Sequence, residues 1–320
     1  MESMSEVLRS MSTPDLRQRS VRLEQELLGH PLVRELLEEH PELEASRLRL
    51  HLSRLYQYVE ESKHCANCPG LANCPNDFPG HYSKLSVETA PGGQPELYER
   101  KKPCELQLAK DAQDRIRKRI TSFYVDERAL SEGYDEIEIM GKDPRRMSAV
   151  NKLFNYIAHV RENGLGPRGI YLHGAFGTGK TFLMCYLLHE LAVAGHSGVI
   201  VYMPDFVEEL KTMMQDGARL KETVDAMKNC DLLIFDDIGA ENLNPWVRDH
   251  ILGAILNYRM NRKPTFYTSN YPLPELEKHL SFTSKDGEEL YKGQRLMDRI
   301  RPFVEAVPLY GENQRGQHSS

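Results

Sequence analysis

"GIYLHGAFGTGKTFLMCYLLHELAVA", residues 169–194, reads as three parts that need one another. A short apolar run, Ile170 to Leu172, leads into a glycine-rich turn, and the turn opens a long apolar stretch with the composition of a helix. Within it Gly174, Gly179, Lys180 and Thr181 satisfy G-x-x-x-x-G-K-[ST], placed after a strand and before a helix as a phosphate-binding loop requires. Glycines let such a loop curl so that backbone N–H groups face inward, and the following helix adds the positive end of its dipole. Gly174, Ala175, Phe176, Gly177, Thr178, Gly179, Lys180 and Thr181 are therefore the expected cradle for a nucleotide's phosphates. Lys180 would neutralise the β- and γ-phosphates, and the Thr181 hydroxyl would bind Mg²⁺. An ordinary glycine turn is the alternative, and it needs neither the strand nor the helix.

Outward from this stretch, strand-like runs alternate with amphipathic segments: "RGIYLHG", "GVIVYMP", "DLLIFDDIG", "PTFYTSN" and "VEAVPLYG". Five strands alternating with helices predict an α/β fold, a buried, mostly parallel five-stranded sheet with helices on both faces. In "LLIFDDIG" four apolar residues end in two acids, the pattern of a central strand whose C-terminal tip presents carboxylates to a crevice. Asp236 would hold the metal through water, and Asp237 would polarise the water that attacks the γ-phosphate. Asn270 ends the next strand and could orient that water. Taken alone, all three side chains are also ordinary strand-end turn or cap chemistry.

The chain has 320 residues and a formal net charge of -6, which leaves room for two domains and excludes a surface that coats nucleic acid or anionic lipid as a whole. No apolar run approaches the roughly 20 residues that span a bilayer, and "MESMSEVLRS" lacks the apolar core of a secretory signal, so no membrane partner and a cytoplasmic location are expected. In that reducing setting the six cysteines are candidate ligands or buried thiols before they are disulfides. Cys65, Cys68, Cys74 and His81 form C-x2-C-x5-C-x6-H among prolines and glycines, a closed structural Zn²⁺ shell; His64 or Cys104 could replace His81. A redox reading of "CANC" would need a βαβ context that is missing, and Cys185 and Cys230 fall in helical text as apolar thiols. Residues 1 to about 61 carry apolar residues three and four apart and predict three helices, with Pro31 and Pro41 at helix starts, while "ETAPGGQPE" reads as a turn. The division expected is 1–99 helical and zinc-binding, 100–135 a basic linker, and 136–320 the nucleotide domain. Basic runs "ERKK" and "RIRKR" are either DNA or partner contacts or a solvated linker.

"GAFGTGKT", "LLIFDDIG", "TSN" and "GQRLMDRI", in that order, resemble the AAA+ ATPases, and within them the clade of initiators and helicase loaders. The resemblance implies that Arg299 is a finger reaching the γ-phosphate held by a neighbouring subunit, with Arg295 a basic companion; a solvated helix face is the alternative. It implies that the helical text between "VIVYMP" and "DLLIFDD" lines a path for single-stranded DNA. It also implies no helical lid after the last strand, with Arg315 in the place of the basic residue that loaders use instead of a lid-borne sensor. A helical, zinc-binding N-terminal domain ahead of such an ATPase is similar to the bacterial primosomal loaders over essentially the whole chain. The resemblance thus implies a replicative hexameric DNA helicase as partner, ATP-dependent self-association into a ring or spiral, and delivery of the helicase onto a single strand. A transposition-helper ATPase, or a nucleotide-gated adaptor with negligible turnover, shares the second half, and Asp237 standing where many AAA+ proteins have Glu keeps the adaptor in play.

Overall fold

A computed structural model describes residues 14–43, 48–91, 93–125 and 143–314. The chain divides into two compact units, residues 1–113 and 114–320.

In the first unit three helices, α1 (Pro14–Leu28), α2 (Pro31–Glu39) and α3 (Leu52–Ala66), precede a hairpin of β1 (His81–Thr89) and β2 (Pro95–Pro103). Pro31 opens α2 at the position where its missing N–H costs nothing, whereas Pro41 lies in a turn. Val33 and Leu36 on α2 and Leu55 and Val59 on α3, three and four apart, meet Leu85 and Leu97 of the hairpin in one small core. The hairpin pairs His81 with Pro103 through to Thr89 with Pro95, and its turn closes with the Ala90 N–H donating to the Gln94 carbonyl at 2.9 Å. The turn falls where the sequence put one; the strands on either side carry too many Lys, Arg and Glu to read as strands from their text. Buried Glu61 ties α3 to them, accepting from the Ser83 hydroxyl at 2.8 Å and pairing with Lys101 at 2.5 Å. Helix α4 (Glu105–Arg119) follows and crosses the division between the units.

The second unit is built on a parallel sheet of six strands, where five were expected. Its strands are β3 (Ile120–Phe123), β4 (Gly169–His173), β5 (Gly198–Tyr202), β6 (Leu232–Asp236), β7 (Thr265–Ser269) and β10 (Val304–Pro308), in the spatial order β10-β4-β7-β6-β5-β3. The extra strand comes from text assigned to the linker: Ile120 to Phe123 pair with Gly198 to Val201 at the sheet edge, a run of four that is too short to show a period. Two further residues pairs, β8 (Phe282–Thr283) and β9 (Gly287–Glu288), make a separate small ribbon.

Alternation along the strands sorts the side chains into two buried layers. Ile234, Leu232 and Phe266 face one way, onto α5 (Met147–Asn163) and α6 (Lys180–Val193). Leu233, Phe235 and Tyr267 face the other, onto α7 (Met203–Met213), α8 (Gly217–Asn229), α9 (Gly253–Arg259), α10 (Leu273–Ser281) and α11 (Leu290–Met297). Burial on both faces is why the strands read as continuous apolar runs. No helix among the described residues is long and apolar enough to cross a membrane.

Arg259 fastens the end of α9 beneath the sheet. It is 1 % exposed, and its guanidinium donates to the carbonyls of Met227, Cys230 and Pro264 at 2.9, 2.8 and 2.6 Å and to the Thr265 hydroxyl at 3.0 Å. Lys263 also reaches the Cys230 carbonyl and the Cys230 thiol the Met227 carbonyl, at 3.2 and 3.3 Å, but Arg259→Met removes the shorter bonds at once and should cost about 3 kcal/mol of stability in urea unfolding. A loss below about 1 kcal/mol would show that the carbonyls find other partners.

Candidate functional site

The glycine-rich turn lies at the C-terminal tips of β4, β6 and β7, where a parallel sheet opens its crevice. Gly174 passes so close to the last strand that a Cβ there would stand 2.1 Å from the Leu309 carbonyl oxygen. Gly179 caps α6 with φ +89°, a conformation that L side chains resist, and from it the helix takes its direction. The Leu183 N–H donates back to the Gly179 carbonyl at 3.1 Å, leaving the amides before it turned toward the loop.

Side chains from three elements close a polar circuit at this point. Lys180, 8 % exposed, donates from Nζ to the carbonyls of Gly174 and Ala175, each at 2.9 Å, and to Asn270 Oδ1 at 2.8 Å. The Asn270 amide donates to Asp237 Oδ1 at 2.8 Å, and the Asp237 backbone N–H donates to the Thr268 hydroxyl at 2.8 Å. Thr268 in turn donates to Asp236 Oδ1 at 2.6 Å, and the Thr181 hydroxyl lies 3.0 Å from both Asp236 oxygens. Lys180, Thr181, Asp236, Asp237 and Asn270 are thus brought together. Thr268 belongs with them and was missed; it sits one register step beyond the Phe235–Tyr267 pair, directly beside Asp236, a placement visible only once the strands are paired.

Two features of the circuit carry charge and strain. Asp236 is 1 % exposed, and burial pushes its carboxyl above the usual carboxylate range against the opposing pull of the Thr268 and Thr181 hydroxyls. Asp237 holds φ +54°, an unusual backbone for a residue other than glycine, fixed by the two hydrogen bonds just described. A buried carboxylate beside a hydroxyl offers hard oxygen ligands to Mg²⁺, and the lysine and turned amides suit a polyphosphate.

Arg299 stands elsewhere. Its hydrogen-bond partners are Asn257 Oδ1 at 3.3 Å and the Arg295 carbonyl at 2.8 Å, on α9 and α11 rather than at the loop. With Lys292 and Arg295 it lines a shallow basic cavity of about 290 Å³. Burial, and then the charge of Arg295, press its guanidinium below its ordinary value. Arg315 lies outside the described residues.

In the first unit Cys65, Cys68, Cys74, His81 and Cys104 all face one cavity of about 810 Å³. Strand pairing brings in Cys104, next to the His81–Pro103 pair, with its N–H donating to the Gly80 carbonyl at 2.7 Å. The Gly80 N–H donates to Cys74 Sγ, 3.4 Å away. His64 instead engages Asn76 Oδ1 at 3.0 Å. Among the described residues, however, no three Cys, His, Asp or Glu side chains are gathered closely enough to hold a metal ion, so the expected zinc shell is not assembled. Cys185 and Cys230 are buried.

Residues 107–320 match the family described as IstB-like ATP binding protein, and residues 1–91 match the family described as primosomal protein DnaI N-terminus. The replicative helicase loader DnaI of Bacillus subtilis (strain 168) is 34% identical over 304 residues, 94% of this chain and 95% of that protein. The replicative helicase loader DnaC of Escherichia coli (strain K12) is 26% identical over 157 residues, 49% of this chain and 58% of that protein. A crystal structure of DnaI superposes with a TM-score of 0.52 at 33% identity, covering 60% of this chain and 98% of that one.

The raised Asp236 carboxyl has a measurable consequence. A folded-state value above the unfolded one favours the native state most at low pH, and that contribution is lost as pH rises through the folded value. In metal-free buffer Asp236→Asn should therefore be more stable than the wild type at pH 7, with the advantage shrinking as the pH is lowered toward about 4. A less stable Asn variant in urea unfolding at pH 7 contradicts this.

Proposed function

We infer the function from kinship and site together: the chain belongs to the DnaI family of replicative helicase loaders, and it loads a replicative helicase in the initiation of DNA replication. The observation that carries this reading is that the likeness to a loader runs through both units, since an IstB-like ATP-binding half alone would suit an insertion-sequence ATPase equally well.

The second unit is proposed as an ATPase that acts as the switch. Bound ATP with Mg²⁺ supplies the reacting phosphate and part of the charge that offsets it. Lys180 and the amides of residues 174–181 hold the phosphates, and Thr181 and Asp236 hold the metal. Asp237 accepts the proton of the attacking water, and Asn270, already bonded to both Asp237 and Lys180, orients that water between them. Arg299, directed away from its own loop, serves the loop of a neighbouring copy, so turnover depends on assembly into a ring or spiral. Helices α7 and α8, between β5 and β6, are the proposed contact with single-stranded DNA. A nucleotide shifts such an assembly only by its differential affinity for the two states, which is the work assigned to the circuit around Lys180.

The first unit is proposed as the helicase-docking module. Three thiols and an imidazole on one cavity wall, with Cys104 beside them and an amide aimed at Cys74 Sγ, have the donor chemistry that zinc selects. Cys65, Cys68, Cys74 and His81, or Cys104 in place of His81, would hold it, cross-linking the end of α3 to the start of the hairpin.

Co-purification with the replicative helicase, with mass measured on the intact complex, tests the switch. Wild-type protein should form an ATP-dependent complex and deliver helicase to a single strand, and Lys180→Ala should lose both; equal loading by the two proteins rules the switch out. For the metal, elemental analysis should find one zinc per chain, roughly, and its removal by a chelator should abolish helicase capture while ATP binding persists. Metal-free protein that still captures helicase would dispose of the zinc proposal.

A further inference from the structure

Beside the phosphate loop lies a cation that the circuit does not use. The segment Asp143–Arg146 enters α5 through a short turn, and Asp143 spends its carboxylate on Arg145, accepting from the Arg145 backbone N–H at 3.0 Å and from its guanidinium at 2.8 Å. Arg145 also reaches Glu312 at 3.3 Å. Arg146, one residue on, receives no such partner among the described residues. It is 3 % exposed, and its Nε has no hydrogen-bond acceptor. Its stem packs on Gly311, where a Cβ would meet Cγ at 3.4 Å, and its guanidinium lies over Gly179, where a Cβ would meet Nη2 at 3.0 Å. The positive head is thus set at the start of α6, on the same amides that make the loop an anion site.

A guanidinium in this position is costly unless an anion completes it, because a buried charge without a partner loses its hydration and gains nothing in return. Burial indeed presses Arg146 below its ordinary value, with Asp143 opposing only in part. Its planar fork of donors matches a phosphate's oxygens, and the loop it touches is the one that would hold them.

We propose that Arg146 is a phosphate ligand of the bound nucleotide, its guanidinium completing from outside the loop the cradle that Lys180 completes from within. This inference rests on the nucleotide reading of residues 174–181. It gives the site a second fixed cation drawn from the segment ahead of α5.

Calorimetry of Mg-ATP and of inorganic tripolyphosphate with wild type, Arg146→Met and Arg146→Lys tests it, alongside melting temperatures without ligand. Arg146→Met keeps the apolar stem and should weaken both ligands by about ten- to a hundredfold, the worth of a charged hydrogen bond. Arg146→Lys should recover part of the loss. Without nucleotide the Met variant should melt at the wild-type temperature or above it, because removing an unpaired buried charge relieves the fold. Undiminished binding by the Met variant overturns the proposal. Weakened ATP with unchanged tripolyphosphate overturns it too, by moving Arg146 to the base, and a Met variant that melts well below wild type without ligand marks the guanidinium as structural. A wild-type protein that binds neither ligand instead removes the nucleotide reading itself.

Discussion

A carboxylate almost out of reach of water, at the tip of the central strand, governs the second unit. Asp236 can remain there only because Thr181 and Thr268 offer hydroxyls from two different elements, the start of α6 and the end of β7. Those hydroxyls fix the helix against the strand, and the same strand end carries Asn270, which holds Lys180. The loop, the acids and the Asn270 amide therefore form one connected unit, and displacing any member reorganises hydrogen bonds in the others. A ligand that takes over the lysine or the carboxylate must exchange these bonds for its own, which couples it to the ties between β6, β7 and α6.

Three buried arginines in this unit illustrate how a fold treats a desolvated cation. Arg259 is enclosed by backbone carbonyls and serves as a fastener. Arg248, fully buried, is paired with Asp249 and Glu289, and Asp249 also binds Lys292 at 2.6 Å, so the π-helical segment Val247–Leu252 is linked to the helix that carries Arg295. Arg146 has no acceptor for its Nε among the described residues, and the one carboxylate near it, Asp143, is spent on Arg145. Partnered cations explain themselves as structure, whereas the third is accounted for by something the chain does not itself contain.

The first unit solves a different problem. Its apolar core is small, drawn from a few leucines and valines of three helices and a hairpin, and polar ties such as Glu61 with Ser83 and Lys101 hold α3 to the strands. The cysteines gather where the helix end, the irregular segment and the hairpin start converge, which is where cross-linking would add most to a thin core.

Much of the second unit could be read from its text, because its signals are local. A loop that must present amides to an anion needs glycines and a lysine at fixed spacing, and strands buried on both faces must be apolar throughout, so "GAFGTGKT" and "LLIFDDIG" announce themselves. Signals were missing where partners are distant in sequence. Ile120–Phe123 is a strand only because β5 lies beside it; the charged hairpin is one because its two halves pair; Thr268 and Arg146 matter because of what the fold sets next to them. Sequence alone therefore determined the fold class and the composition of the phosphate loop, since backbone geometry and burial constrain residue type position by position. The tertiary structure alone decided which side chains complete the site, because hydrogen bonds and unpaired charges depend on distances between segments that no local pattern encodes.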